Sequence, residues 1–404
     1  MVADLQIVRS PAPLAPAPQP APVAERDLRL DLFRGVALWG IFLDHIPENI
    51  VNWLTIRNYG FSDATEIFIF ISGYTAAFVY GRAMRERGFV VASARILRRA
   101  WQIYVAHIFL FTIFLAEIAY VAGTFDNPLY AEEMRILDFL KQPDVTIFEA
   151  LILKFKPVNM DVLPLYIVLL VLFPPMLFVL LRRPTLALAG SALVYVLTWS
   201  FDFNLPAYPN GVWFFNPFAW QLLFVFGAWC ALGGAHRLGP VLRSPIIFAI
   251  AIAYLVFAFA ITLTWYVEPL GHFVPSWLSD WMYPIDKTNL DVLRFAHFLA
   301  LATITVRFVP RDWPGLRSPI LQPAIRCGQH SLEIFCLGVF LAFAAQFVIS
   351  EYSGGPLIQV AISLVGIMIM VAVANLISWY KVIEGRSPSS RVKTPDADLA
   401  GGEA

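Results

Sequence analysis

Ten stretches of this 404-residue chain are each close to the ~20 apolar residues that one helix needs to cross a bilayer. They fall at about 31–53, 64–80, 101–122, 162–181, 185–200, 213–234, 245–267, 291–309, 331–350 and 357–380, with 185–200 the short one. A helix satisfies its own backbone hydrogen bonds in hydrocarbon, so this rhythm specifies an all-α polytopic membrane protein of about ten transmembrane helices. Composition agrees. The chain is 59% hydrophobic and 14% charged, against ~45–50% and ~25% in a soluble domain.

Arginine sets the expected orientation. Arg82, Arg85, Arg87, Arg95, Arg98 and Arg99 lie between the second and third stretches, and Arg182, Arg183, Arg237, Arg243, Arg311, Arg317 and Arg326 follow between later alternate pairs. The opposite connections hold only Arg57, Arg135, Lys141, Lys154, Lys156 and Lys287. The arginine-rich side is the cytoplasmic one by the positive-inside rule, and ten spans then leave both termini in the cytoplasm. Two of the outer connections, 123–161 and 268–290, are long. The second is rich in aromatic residues, which serve either as an interface belt or as a sugar-binding platform.

Residues 1–25 are rich in proline and alanine and 382–404 are polar, so both are expected to be disordered tails around one membrane domain over 26–381. The N-terminal stretch lacks the apolar run of a signal peptide and is expected to be retained. The net charge is zero, which gives no reason to expect a nucleic-acid partner. Cys230, Cys327 and Cys336 form no C-x-x-C pair, and the six histidines are scattered singly, so no metal site is expected.

The most informative stretch is Asp31–His45, DLFRGVALWGIFLDH. Arg34 and His45 are 11 residues apart, which returns them to within ~20° of one helix face, ~16 Å apart along the axis. Ionisable groups inside a span are costly and point to function, although an arginine can also snorkel to the interface. Glu66, at the start of the second span, is expected at the depth of His45, where a carboxylate can orient an imidazole. Asp44 is the poorer orienter, ~100° around the helix. Ser72 and Gly73 remove bulk from the second span, for a ligand or for a packed helix. Arg95, Arg98 and Arg99 suit cofactor phosphates, or serve only as the topology signal.

The Arg34-x10-His45 spacing, FIFISGY and the R-x-x-R of Arg95 and Arg98 resemble the core motifs of the acyltransferase-3 family of integral-membrane acyltransferases. The longer run RLDLFRGVALWGIFLDHIPEN, then FSDATEIFIFISGYTAAFVYGR, and the later CGQHSLEIFCLG are closer still to the OpgC family, which succinylates osmoregulated periplasmic glucans. The resemblance covers most of 26–381. It implies an O-acyltransferase of a bacterial inner membrane, with no tightly bound cofactor. The donor would be cytoplasmic succinyl-CoA, or acetyl-CoA as the alternative, and the acceptor a glucose hydroxyl of a periplasmic glucan. The matching histidine, His45, is essential in that family. Arg34 would line the donor path or hold the cofactor, and His330 would lie on the CoA side. At the start of the eighth span Asp291, Arg294 and His297 share a helical face. Arg294 is placed either to meet a succinyl carboxylate or to bridge to Asp291. A transporter is the rival reading, because polar residues in a bundle also mark substrate paths. No repeat between halves accompanies them, as one often does in transporters.

Overall fold

The structure is a computed structural model and describes residues 27–125, 129–352 and 354–384. The expected tail over 1–25 lies outside the described residues, as does 382–404 beyond Glu384.

All long elements are helices. The first, α1 (Leu28–Asp44), is capped by Asp27, whose carboxylate accepts from the Arg29 N–H at 3.1 Å. It ends at His45, eight residues short of the expected 53. Pro47 explains the early stop, since a proline disfavours helical geometry in the residue before it, here Ile46. Two short 3₁₀ turns follow, Ile50–Leu54 and Ile56–Asn58. His45 therefore sits at the mouth of the helix rather than ~12 Å inside it, the depth implied by a helix reaching 53.

The next element, α2, runs over Ala64–Thr124 and is broken only at Gly88, with φ 82° and ψ 174°. The arginine stretch expected to be a connection is helical on both sides of that glycine. Alanine, methionine, leucine and arginine favour helix, and glycine alone takes the positive φ at no steric cost.

The 123–161 connection carries α3 (Leu129–Glu133), α4 (Leu137–Lys141) and α5 (Pro143–Leu151). Then come α6 (Val162–Arg182), α7 (Pro184–Phe201), α8 (Pro217–Trp229) and α9 (Ala235–Arg243), the last two joined through a π-helical turn at Cys230–Gly234. After α10 (Pro245–Thr264), the aromatic connection folds as α11 (Glu268–Gly271) and α12 (Ser276–Met282). The chain closes with α13 (Val292–Phe308), α14 (Gln322–Gln329), α15 (Ser331–Glu351) and α16 (Pro356–Ile383).

Among the described residues seven helices are long and apolar enough to cross a membrane, with α2 counted once. The two helices α1 and α13, at 17 residues each, fall just below the length of the shortest of these. Many large apolar side chains on α7, α10 and α16 face outward, such as Leu186, Ile246 and Leu364. That is the pattern of a protein solvated by lipid.

Backbone contact at glycines sets the packing of the central helices. A Cβ on Gly35 would come within 1.8 Å of the Ala324 carbonyl oxygen, and one on Gly328 within 1.9 Å of the Asp31 oxygen. Helices α1 and α14 are thus joined reciprocally, which accounts for the glycine of the CGQHS run. Gly73 and Gly227 pair α2 with α8 in the same way, against the Phe224 and Phe70 oxygens at 1.9 and 2.2 Å. Small residues let helices approach this closely in a membrane. Gly73 therefore packs against α8, and the Phe224 backbone fills the space a side chain would take there.

Candidate active site

Helices α1 and α2 help to line two cavities. The first, the histidine cavity, has a volume of about 370 Å³ and is lined by Asp44, His45, Arg57, Asp63, Lys287 and Arg294, among others. An adjoining lobe of about 190 Å³ shares Ile41, His45, Thr65 and Lys287 with it and adds Arg135 and Asp161. The second, the arginine cavity, measures about 130 Å³ and is lined by Arg34, Ser72, Thr75, Tyr80, Arg99 and Tyr166, among others. The 11-residue spacing read from the sequence thus puts Arg34 and His45 in different chambers, ~16 Å apart along one helix. Phe68 lines the arginine cavity and Thr65, one turn earlier on α2, lines the histidine cavity. The Phe68 ring, buried and 6.0 Å from that of Phe335, forms with it part of the wall of the arginine cavity.

The start of α2 builds one wall of the histidine cavity. Asp63 accepts the Thr65 N–H at 2.8 Å, and Glu66 reaches back to the Asp63 N–H at 2.9 Å. This capping box satisfies two of the helix's orphan donors. The same two carboxylates hold α13. Arg294 Nε donates to Glu66 Oε1 at 2.9 Å, and Arg294 Nη2 lies 2.7 Å from that oxygen and 3.1 Å from Asp63 Oδ2. Lys287 Nζ donates to Asp63 Oδ2 at 2.5 Å. Burial opposes the negative charge on Asp63, but Lys287 and Arg294 outweigh it and hold the carboxyl well below its ordinary range.

This network corrects two expectations. Glu66 does not orient His45, because it is fully buried and committed to Arg294 and to its own helix end. Nor does Arg294 bridge to Asp291, which instead caps α13 through the Leu293 N–H at 2.8 Å. Two of the three guanidinium nitrogens of Arg294 are already engaged by protein carboxylates. A carboxylate from a substrate would meet it only beside those acids.

The other expected residues divide cleanly. Asp44 accepts from the Thr55 hydroxyl at 2.6 Å and makes no hydrogen bond to the His45 Nδ1. The His45 Nδ1 is buried and makes no hydrogen bond among the described residues. His297 faces the Ser62 hydroxyl, 2.7 Å from its Nδ1, and packs against Gly60, outside the cavity lining. Arg34 is buried and donates to the Ile71 carbonyl at 3.2 Å and to the Thr75 hydroxyl at 2.7 Å. Ser72 and Arg99 line its cavity, whereas Arg95 and Arg98 are exposed and do not. His330 lies against Ser378 at 2.7 Å and Lys381 at 3.1 Å, beside the cavity lining rather than in it.

A family model described as OpgC protein matches residues 26–382. The chain belongs to the OpgC family. Membership carries the acyltransferase class with it. No curated protein and no solved structure matches the chain.

Sequence reasoning missed Asp63, Lys287, Thr75, Tyr80 and Tyr166. The capping box was legible, since Asp-x-x-Glu before an apolar run is its signature. Lys287 was not, because it arrives from a connection 224 residues away. The two tyrosines carry no pattern that distinguishes a cavity wall from a packed helix face.

Proposed function

We propose that this protein moves a succinyl group from cytoplasmic succinyl-CoA to a glucose hydroxyl of a periplasmic glucan, across a bacterial inner membrane. The observation that carries this reading is the pair of chambers on one helix, with arginines and hydroxyls in one and an imidazole in the other. The nucleotide part of CoA carries phosphates and cannot enter hydrocarbon. Arg99, at the rim of the arginine cavity, and Arg34, deeper in it, are the guanidinium groups suited to the donor. The pantetheine arm then follows the α1–α2 seam past Phe68 and delivers the thioester carbonyl to His45. In this reading α2 crosses twice and α1 and α13 also cross, so that with the arginine-rich side in the cytoplasm the arginine cavity faces the cytoplasm and the histidine cavity the periplasm.

In the transfer itself His45 takes the proton of the acceptor hydroxyl while that oxygen attacks the thioester carbonyl. The carbonyl carbon–sulfur bond breaks, the ester forms, and the proton passes to the departing CoA thiolate. The alternative order, with the imidazole accepting the acyl group first and then losing it to the sugar, uses the same residue and gives the same products. Cations along the histidine cavity, chiefly Lys287 and Arg57, favour the negative oxygen of the tetrahedral intermediate.

The test is mass spectrometry of purified glucan after incubation with the protein in lipid vesicles and succinyl-CoA, beside acetyl-CoA. A gain of one succinyl unit that disappears with His45→Ala is the expected result. Wild-type turnover by His45→Ala overturns the assignment of the histidine. Vesicle uptake of a small solute without any transfer would return the transporter reading.

A further inference from the structure

A third concavity opens beside the histidine cavity and shares Arg57 with it. It measures about 440 Å³ and is lined by Glu48, Asn52, Trp53, Arg57, Tyr266 and Gln359, among others. Its floor is the pair of 3₁₀ turns after α1. Its walls are Tyr266, just beyond α10, and the first turn of α16.

The groove is held open by bonds behind its surface. The Tyr266 hydroxyl donates to Asn58 Oδ1 at 2.5 Å, and the Asn58 amide donates to the Asn52 carbonyl at 2.7 Å. Gln359 accepts the Ile50 N–H at 2.7 Å and donates to the Gly354 carbonyl at 2.7 Å. The Asn49 amide donates to the Ser363 hydroxyl at 3.0 Å. These bonds tie the turns to α10 and α16. Glu48 and Arg57 are exposed and Asn52 is half-buried in the lining of the groove.

Two rings stand in this polar frame. Trp53 and Tyr266 have centroids 4.4 Å apart at 55° and expose 42% and 44% of their surface. Rings of a membrane-interface belt sit at headgroup level and anchor to lipid. These rings line one concavity together with amide, carboxylate and guanidinium groups, beside Ile50 and Pro356, and convergent polar groups in a concave, partly apolar site fix the orientation of a ligand. A pyranose ring fits this chemistry. Its C–H face packs on an aromatic ring, while its hydroxyls meet planar amides, a carboxylate and a guanidinium.

We propose that the Trp53–Tyr266 groove is a saccharide subsite, which holds the sugar units of a glucan chain adjacent to the one presented to His45. This rests on the acyl-transfer reading above. Arg57 lines both spaces, so a chain with one unit in the histidine cavity has its continuation beside that side chain. The groove then selects a chain over a single sugar, and it acts on affinity for the acceptor rather than on the bonds made and broken.

The experiment compares acceptor kinetics for a β-glucan oligosaccharide and for glucose, with Trp53→Ala and the conservative Trp53→Phe, and measures oligosaccharide binding to His45→Ala by titration calorimetry in nanodiscs. Trp53→Ala is expected to raise KM for the oligosaccharide roughly tenfold, the scale of truncating an aromatic anchor, with a far smaller change for glucose. Trp53→Phe should restore most of the loss. His45→Ala should bind the oligosaccharide like the parent, and the His45→Ala/Trp53→Ala double variant should bind it roughly tenfold more weakly. Equal losses on both acceptors, or unchanged binding in the double variant, would overturn the subsite. So would a Trp53→Ala protein altered only in stability on passing from detergent to bilayer, which marks a lipid anchor. Transfer that fails in every variant while binding still depends on Trp53 would sink the acyl-transfer reading and leave the subsite standing.

Discussion

The histidine cavity and the arginine cavity are walled by the same two helices, yet they handle charge in opposite ways. Around His45 the acids and bases are largely paired with one another. Asp63 and Glu66 hold Arg294 and Lys287, and the network ties α2 to α13 and to the connection before it. Around Arg34 the polar lining is mostly hydroxyl, from Ser72, Thr75, Tyr80, Tyr166 and Ser331, with Arg99 at the rim. The lesson is that charge near a candidate site is not all chemistry. In the first chamber most of the charges brace the walls, and the proposed transfer leaves the proton chemistry to the imidazole. In the second the guanidiniums are what a polyanionic donor would meet.

Removing His45 should break the comparison most sharply. His45→Ala is expected to lose about 10²–10⁴-fold in transfer rate, the usual contribution of a positioned acid–base group. Its thermal unfolding in detergent should stay near that of the parent, since the Nδ1 makes no hydrogen bond that would be lost.

Arg294→Gln should do the reverse. Taking one partner from a buried network costs about 3–5 kcal/mol, read as a lower unfolding midpoint, with succinyl and acetyl transfer declining together. Adding Glu66→Gln should recover part of that loss, because the second uncompensated charge is gone while Asp63 keeps Lys287. A selective loss of succinyl transfer by folded Arg294→Gln would mean that the guanidinium reads the acyl carboxylate after all.

The brace also has a pH signature. A carboxylate whose folded pKa is depressed stabilises above its unfolded value of about 4, and that contribution disappears as pH falls through the folded value. The unfolding midpoint should therefore drop at strongly acid pH, and less so in Asp63→Asn, which has no such charge to lose.

The arginine cavity should respond through the donor. Arg34→Gln is expected to raise KM for the acyl-CoA roughly tenfold, about the worth of one charge-assisted hydrogen bond, while KM for the glucan stays put. The smallest effect is expected from Arg95→Gln and Arg98→Gln. These exposed side chains should shift the donor KM by less than about twofold, as for other solvated charges. A larger shift there than in Arg34→Gln would move the donor site out of the cavity and onto the surface of α2.

What the sequence determined by itself is the class of the molecule and the stripe on α1. Apolar runs of bilayer length, separated by clustered arginines, admit only a helical membrane protein. An 11-residue spacing on a helix puts Arg34 and His45 on one face whatever surrounds them. Those are consequences of period and hydrocarbon thickness, both of which are local. The tertiary structure alone decided who pairs with whom. Glu66 sits one turn into α2, at the depth expected for a partner of His45, yet α13 brings Arg294 within 2.7 Å of it, and a guanidinium satisfies a buried carboxylate better than a neutral imidazole does. Gly73 could equally have bordered a ligand until α8 came to rest on it. Lys287, Tyr166 and Tyr266 enter their sites from distant parts of the chain. No periodicity records such meetings, because they depend on which helix faces are pressed together rather than on the order of residues along any one of them.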